Sequence, residues 1–117
     1  MNHIEKYENL KKINLPKVYK DFYKKCEESI PKEMVGTDLF NNYPELNAWA
    51  IELLEEDETE VFLDKKDFVF MMHQGYMFWY FKADGNVNPD VYIYEENSKA
   101  PKKLCSFKQF VENYPKI

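Results

Sequence analysis

Few side chains in this sequence could perform metal or acid–base chemistry, and their spacing forms no site of that kind. The histidines are His3, near the N-terminus, and His73, inside an apolar stretch. Neither belongs to an H-x-E or H-E-x-x-H pattern, whose spacing brings metal ligands and a general base together. The cysteines Cys26 and Cys105 form no C-x-x-C pair, and we interpret them as reduced thiols in or near the core. These residues predict no metal site and no cofactor.

Nucleophilic and phosphate-binding motifs are missing from the sequence as well. No G-x-S-x-G motif occurs, and Ser106 precedes Gln109 at the spacing of a helix capping box. The glycines Gly36, Gly75 and Gly85 form no phosphate-binding loop. We therefore predict that the protein is not an enzyme and has no catalytic residues.

Carboxylates are concentrated in residues 52–60, "ELLEEDETE", which contain six acidic side chains. The run lacks the alternating ligands and central glycine of an EF-hand loop. It ends a predicted helix, where negative charge opposes the helix dipole, so stability does not explain its placement. Three interpretations remain open: a solvated helix end, a recognition surface for a basic partner, and general acid–base carboxylates, for which nothing in the sequence forms a buried pair. In the second, Glu55, Glu56 and Glu58 are candidate partner-binding residues.

The net charge of −5 is unevenly distributed along the chain. Residues 33–98 carry −12, whereas residues 1–32 carry +3 and residues 99–117 carry +4. All sixteen cations are Lys. Because nucleic-acid binding requires a basic stripe, we expect no nucleic-acid partner and, instead, a basic protein partner. No apolar stretch is long enough for a membrane helix, and the N-terminus lacks the apolar region of a signal peptide. We expect a cytoplasmic protein without a membrane partner.

The stretch "FVFMMHQGYMFWYF", residues 68–81, predicts a β-hairpin that turns at Gly75. An even-numbered loop pairs Phe68 with Phe81 and Val69 with Tyr80, and continues through Phe70–Trp79 to Met72–Met77. Side chains alternate between faces, so one face of the hairpin is entirely apolar. Its members are Phe68, Phe70, Met72, Met77, Trp79 and Phe81.

The other face of the hairpin is mixed in character. It contains Phe78 and Tyr80, with Tyr76 near the tip, and the predicted strand at 90–96 adds Tyr92 and Tyr94 to the same side. A Tyr-rich, partly polar face is typical of a protein-binding patch, so all five are candidate partner-binding residues. The alternative is that loops and the first helix cover this face as a second core layer.

These segments fit into a single α+β domain over residues 1–117. Capping and apolar periodicity predict a short helix over 3–12, a second from Pro16 to Ile30, a third beginning at Pro44 and a last one beginning at Ser106. Residues 33–40 and 60–63 are possible short strands. Helices therefore precede a mostly antiparallel sheet, and a C-terminal helix follows it.

The ordered features resemble the SUKH superfamily, the domain named for yeast cell-wall regulators. "LPKVYKDFYKKC" carries Leu15, Pro16, Tyr19 and Phe22 in a pattern similar to the L-P-x-x-[YL]-x-x-F common in that family. The hairpin, the strand in "NPDVYIY" and the closing "CSFKQFVEN" are similar too, in the same order, so that the resemblance covers roughly residues 15–114.

The resemblance implies an α+β fold without catalysis. Many bacterial members look like immunity proteins, which bind and neutralise a cognate polymorphic toxin encoded by a neighbouring gene. Other members are protein-interaction modules in signalling. We therefore expect an immunity protein whose acidic, Tyr-rich surface binds a basic toxin. The alternative is a general protein- or peptide-binding module unrelated to toxins.

Overall fold

The computed structural model describes residues 6, 8–9, 12–28, 38–39, 46–59, 63, 66–73 and 76–113. Three helices and five strands have defined bounds within these residues, and they confirm the predicted α+β class. The helices are α1 (Lys17–Glu28), α2 (Leu46–Glu56) and α3 (Phe107–Asn113). The strands are β1 (Asp38–Leu39), β2 (Asp67–His73), β3 (Met77–Lys82), β4 (Asp90–Glu95) and β5 (Lys102–Ser106). Most of the predicted helix at 3–12 and of the possible strands at 33–40 and 60–63 lies outside the described residues.

The sheet is an antiparallel meander in the order β1-β2-β3-β4-β5. The predicted register is correct at the base of the β2–β3 hairpin, where Phe68 pairs with Phe81 and Val69 with Tyr80. It is wrong beyond Val69, because a β-bulge inserts one residue into β2. Met71 then pairs with Trp79, and Met72 pairs with Phe78. The bulge moves Met72 from the predicted apolar face to the face of Phe78.

Helices α1 and α3 cover one face of the sheet, which we call the first face. Tyr19 of α1 is 1% exposed, and its ring centroid lies 5.0 Å from Phe68 and 5.8 Å from Phe107. Phe70 packs edge-on against Phe107 at 5.3 Å. Several of these ring pairs are T-shaped, the geometry that places the positive edge of one ring against the negative face of another. This aromatic cluster confirms that Phe68, Phe70 and Phe81 pack on helices.

Helix α2 covers part of the opposite, second face. The side chain of Asn47 donates to the carbonyl of Asp67 at 2.9 Å and accepts from the amide of Val69 at 2.8 Å. At the C-terminal end of α2, the carboxylate of Asp57 accepts a hydrogen bond from the Tyr94 hydroxyl at 2.7 Å. Tyr94 shares its face with Phe78, its cross-strand partner. The second face is therefore a second core layer beneath α2.

Strand β5 was not predicted from the sequence. Its residues "KKLCS" show no period-2 alternation, and their side chains are exposed or half-buried. Among the described strands, β5 lies at one edge of the sheet and pairs with β4 alone, and lysines are common on such edges because they discourage further pairing. Its place in the sheet comes from its ladder with β4 and from the helix that follows it. Ser106 and Gln109 confirm the predicted capping box, each accepting the other's backbone N–H at 3.3 Å.

Candidate partner-binding surface

The C-terminus of α2 is fastened to the loop after β4 through Asp57. This side chain is 6% exposed, and its Oδ2 accepts hydrogen bonds from the Tyr94 hydroxyl at 2.7 Å and from the backbone N–H of Asn97 at 2.8 Å. The Lys99 ammonium donates to the backbone carbonyl of Asp57. One member of the acidic run is thus a structural residue that joins α2 to the sheet.

Three residues around this junction adopt the left-handed backbone region: Glu58 (φ 54°), Asn97 (φ 68°) and Lys99 (φ 68°). Glu58 terminates α2, with the Glu58 N–H donating to the Glu55 carbonyl at 3.0 Å and the Thr59 N–H donating to the Leu54 carbonyl at 3.3 Å. This is a Schellman motif, in which glycine is the usual left-handed residue. A side chain at that position costs conformational energy.

The hydrogen bond between Tyr94 and Asp57 shifts the pKa of both side chains. Donation from Tyr94 lowers the pKa of Asp57 below its ordinary value of 3.8, against the effect of burial, and the Asn97 amide and the Lys99 charge act in the same direction as Tyr94. Burial, followed by the bond to Asp57, raises the pKa of Tyr94 to about 12. Asp57 is therefore a carboxylate and Tyr94 a phenol at neutral pH.

The junction brings two acidic segments together at one end of the sheet. Glu55, Glu56 and Glu58 are exposed around the end of α2, and Glu95 and Glu96 are exposed immediately before Asn97. We call these five side chains the acidic end. The two segments are about 40 residues apart in the sequence, and the hydrogen bond from the Asn97 N–H to Asp57 brings them together in the fold. Sequence reasoning missed Glu95 and Glu96 as members, because only their position in the fold connects them to the acidic run.

The tip of the β2–β3 hairpin adjoins the acidic end. The Glu96 N–H donates to the Tyr76 carbonyl at 2.7 Å, and Met77 pairs with Glu95. The Tyr76 side chain is 38% exposed, and its ring meets the ring of His73 edge-on at 5.6 Å. Of the predicted partner-binding residues, Tyr76, Glu55, Glu56 and Glu58 are therefore exposed at the same end of the sheet.

The remaining predicted residues form two stacked aromatic pairs on the second face. Phe78 stacks on Tyr94 at 5.5 Å, and Tyr80 stacks on Tyr92 at 5.4 Å. Phe78 and Tyr94 are fully buried and Tyr80 is 6% exposed, so the alternative of a covered second core layer describes these three side chains and the exposed patch does not. The physical reason is α2, which the sequence analysis did not place over this face. Tyr92 is half-buried at the edge of the covered area.

Carboxylates at this density can attract a basic surface, and Tyr76 offers an amphipathic ring beside them. Charge complementarity of this kind accelerates encounter, and aromatic side chains contribute contact energy. Among the described residues, no group of three His, Cys, Asp or Glu side chains is arranged to hold a metal ion. Within the same part of the chain, no helix has the length and apolar character needed to cross a membrane.

Comparison with known proteins identifies a family. Neither the curated proteins nor the solved structures contain a significant match to the chain. A family model described as the SMI1 / KNR4 family (SUKH-1) matches residues 2–113. The matched region includes every helix and strand described above and extends across nearly the whole chain. The protein therefore belongs to the SMI1/KNR4 family (SUKH-1), in agreement with the resemblance of its sequence.

Proposed function

We propose that the protein is a non-enzymatic bacterial immunity protein, which binds a cognate toxin in the cytoplasm and neutralises it. Family membership supports the role, because the resemblance of the sequence implies a superfamily in which many bacterial members look like immunity proteins. The observation that carries the proposed mode of binding is the acidic end. Five exposed carboxylates from two segments converge there beside an exposed tyrosine.

The proposed mechanism is occlusion of the toxin by contact. The carboxylates of the acidic end attract a basic patch on the toxin, such as the substrate groove of a nuclease, and raise the rate of encounter. Tyr76 then packs against the toxin at the centre or margin of the contact. Nothing on the immunity protein undergoes a reaction, because inhibition follows from excluding the substrate.

Rigidity at the junction favours this mode of binding. Asp57 is held by Tyr94 and Asn97, so the flanking glutamates Glu56 and Glu58 extend from a fixed backbone. A preorganised surface loses less conformational entropy when it binds than a mobile one. Glu58, Asn97 and Lys99 hold a left-handed backbone that is strained for residues with a side chain. Such strain is common at functional sites, where the surrounding structure maintains it.

Co-expression with the toxin domain encoded beside this gene tests the proposal. We expect the protein to restore growth of cells that produce the toxin, and to co-purify with it as a stoichiometric complex. The double variant Glu55→Lys/Glu56→Lys should weaken rescue, whereas Asp21→Lys/Glu112→Lys changes the same number of charges on α1 and α3 and should not. Failure of the unmodified protein to bind and to rescue would overturn the proposal and favour the alternative of a general binding module.

A further inference from the structure

A cleft lies at the end of the sheet opposite the acidic end. It is about 440 Å³ in volume and is enclosed by the start of α1, the β3–β4 loop and the start of α3. The β3–β4 loop precedes β4, whereas Asn97 and the acidic end follow it. The six residues of β4 span five intervals, which separate the two regions by roughly 16 Å at ~3.3 Å per residue. The two regions are therefore distinct surfaces at opposite ends of one strand.

The cleft combines an apolar floor with a basic rim. Leu15, Pro16 and Val18 line it from the α1 side, and Val87 lines it from the loop. Lys17 and Lys108 are its charged lining residues, and both are exposed. This composition is the reverse of the acidic end, and it reflects the positive charge of the N-terminal and C-terminal segments of the chain.

Val87 is the most exposed large apolar side chain among the described residues, at 80%. Its loop is held by successive hydrogen bonds: the Asn86 N–H donates to Asp84 Oδ1 at 3.3 Å, and the Asn88 N–H donates to Asn86 Oδ1 at 2.9 Å. Asn88 Oδ1 in turn accepts from the Lys108 N–H at 2.9 Å. The structure therefore holds an apolar side chain in solvent at the mouth of an apolar cleft, at a site where burial by a partner would be favourable.

The charge around the cleft identifies the chemistry of that partner. The lining residues among the described part of the chain include two lysines and no carboxylate. Two carboxylates lie close to the lining residues, and both already have partners. Glu8 accepts the Leu15 N–H at 2.7 Å and pairs with the Lys20 ammonium at 3.2 Å, and Asp84 accepts the Asn86 N–H within the loop. An apolar group carried on a basic segment would meet like charge at the rim, whereas one flanked by carboxylates would meet opposite charge.

We propose that this cleft is a second docking surface, which binds an acidic protein segment carrying a large apolar side chain. The apolar side chain enters the cleft beside Val87, and carboxylates on either side of it pair with Lys17 and Lys108. The cleft volume of about 440 Å³ lies in the range of ~300–1,000 Å³ found for clefts that hold drug-sized ligands, so it has room for one large apolar side chain and the backbone beside it. The lining residues of this surface are all distinct from those of the acidic end.

A peptide titration of the full chain followed by amide NMR tests this inference. The probe is a capped pentapeptide with a leucine between two pairs of glutamates. We expect saturable shift changes confined to residues 14–18, residues 85–88 and Lys108. Replacement of the central leucine by alanine, or of the four glutamates by glutamines, should each weaken binding about tenfold, since the site uses both contacts. If the alanine peptide binds equally well, binding depends on charge attraction alone, and the proposal is overturned.

Variants of the protein make the same test from the other side. Lys17→Glu/Lys108→Glu should weaken binding of the leucine peptide about tenfold or more. Lys24→Glu/Lys25→Glu changes the same amount of charge, but on α1 outside the cleft, and should weaken binding by less than about twofold. Val87→Ser, at an exposed position, should weaken binding without changing the fold. Equal affinity in all of these proteins, or no saturable shift change at the cleft, would contradict the inference, whatever the outcome with a toxin.

Discussion

The second face of the sheet and the acidic end both contain polar or aromatic side chains that could contact a partner. These side chains are largely buried on the second face and exposed at the acidic end. On the second face, Phe78 and Tyr94 stack beneath α2 and have no exposed area. At the acidic end, Glu55, Glu56 and Glu58 extend into solvent. The first region therefore contributes to the free energy of folding, and the second is available for binding. Asp57 connects them, since it accepts from Tyr94 on one side and sits between these exposed glutamates on the other.

The largest difference between the regions should appear when an aromatic ring is removed from each. Phe78→Ala leaves a cavity under α2 and should lower the free energy of unfolding by about 3–5 kcal/mol. Tyr76→Ala at the exposed tip should change it by less than about 0.5 kcal/mol. Urea denaturation monitored by circular dichroism measures both values. Similar losses in the two variants would mean that the hairpin tip is also part of the core.

Asp57 should behave as a member of the core in spite of its acidic neighbours. Asp57→Ala leaves the Tyr94 hydroxyl and the Asn97 N–H without their acceptor, and should cost about 2–3 kcal/mol of stability. Glu56→Ala, one residue earlier, removes an exposed carboxylate and should have an effect within about 0.5 kcal/mol. If the two alanine variants unfold at the same urea concentration, the junction does not anchor α2.

The same contrast predicts a dependence of stability on pH. Folding lowers the pKa of Asp57, chiefly through the hydrogen bond from Tyr94. Its stabilising contribution is therefore complete above the unfolded-state pKa near 3.8 and is lost as the pH falls through the lower folded-state value. The unmodified protein should lose more stability between pH 5 and about pH 2 than Asp57→Asn, in which this group no longer titrates. Parallel pH profiles for the two proteins would contradict the assignment.

Relief of backbone strain at the end of α2 should have the smallest effect. Glu58 occupies the left-handed position of the Schellman motif at φ 54°. Glu58→Gly should stabilise the protein by roughly 0.5–1 kcal/mol, because glycine adopts this region without a steric penalty. Glu56→Gly, inside the helix, should destabilise it by a similar amount. Thermal melting of the two variants gives opposite shifts if the motif is correctly described.

Local patterns in the sequence predicted much of this fold. The stripe of Tyr19 and Phe22 predicted the buried face of α1, and Ser106 with Gln109 predicted the start of α3. Such features depend on neighbours within one or two turns of helix, so the sequence alone contains them. The register at the base of the hairpin was predicted on the same grounds, from Phe68 and Phe81.

The features that were missed depend on contacts between distant segments. The bulge after Val69 adds one residue to β2, and nothing in "FVFMM" marks the position. The position of α2 over Phe78 and Tyr94 follows from tertiary packing, and the acidic composition of its end gave no indication that Asp57 is buried. Likewise, the approach of Glu96 to Tyr76 unites the candidate surface only after the meander has formed.

The association rate with the proposed toxin partner is the most direct test of the account, because matched variants separate the acidic end from acidic residues elsewhere on the protein. Lysine at positions 55 and 56 suits the dipole at the end of α2, so Glu55→Lys/Glu56→Lys should remain folded. We expect this variant to associate with the toxin about tenfold or more slowly at low salt and to lose most of the salt dependence. Asp21→Lys/Glu112→Lys should retain the unmodified rate to within about twofold. Equal slowing by the two double variants would contradict the claim that the acidic end is the binding surface.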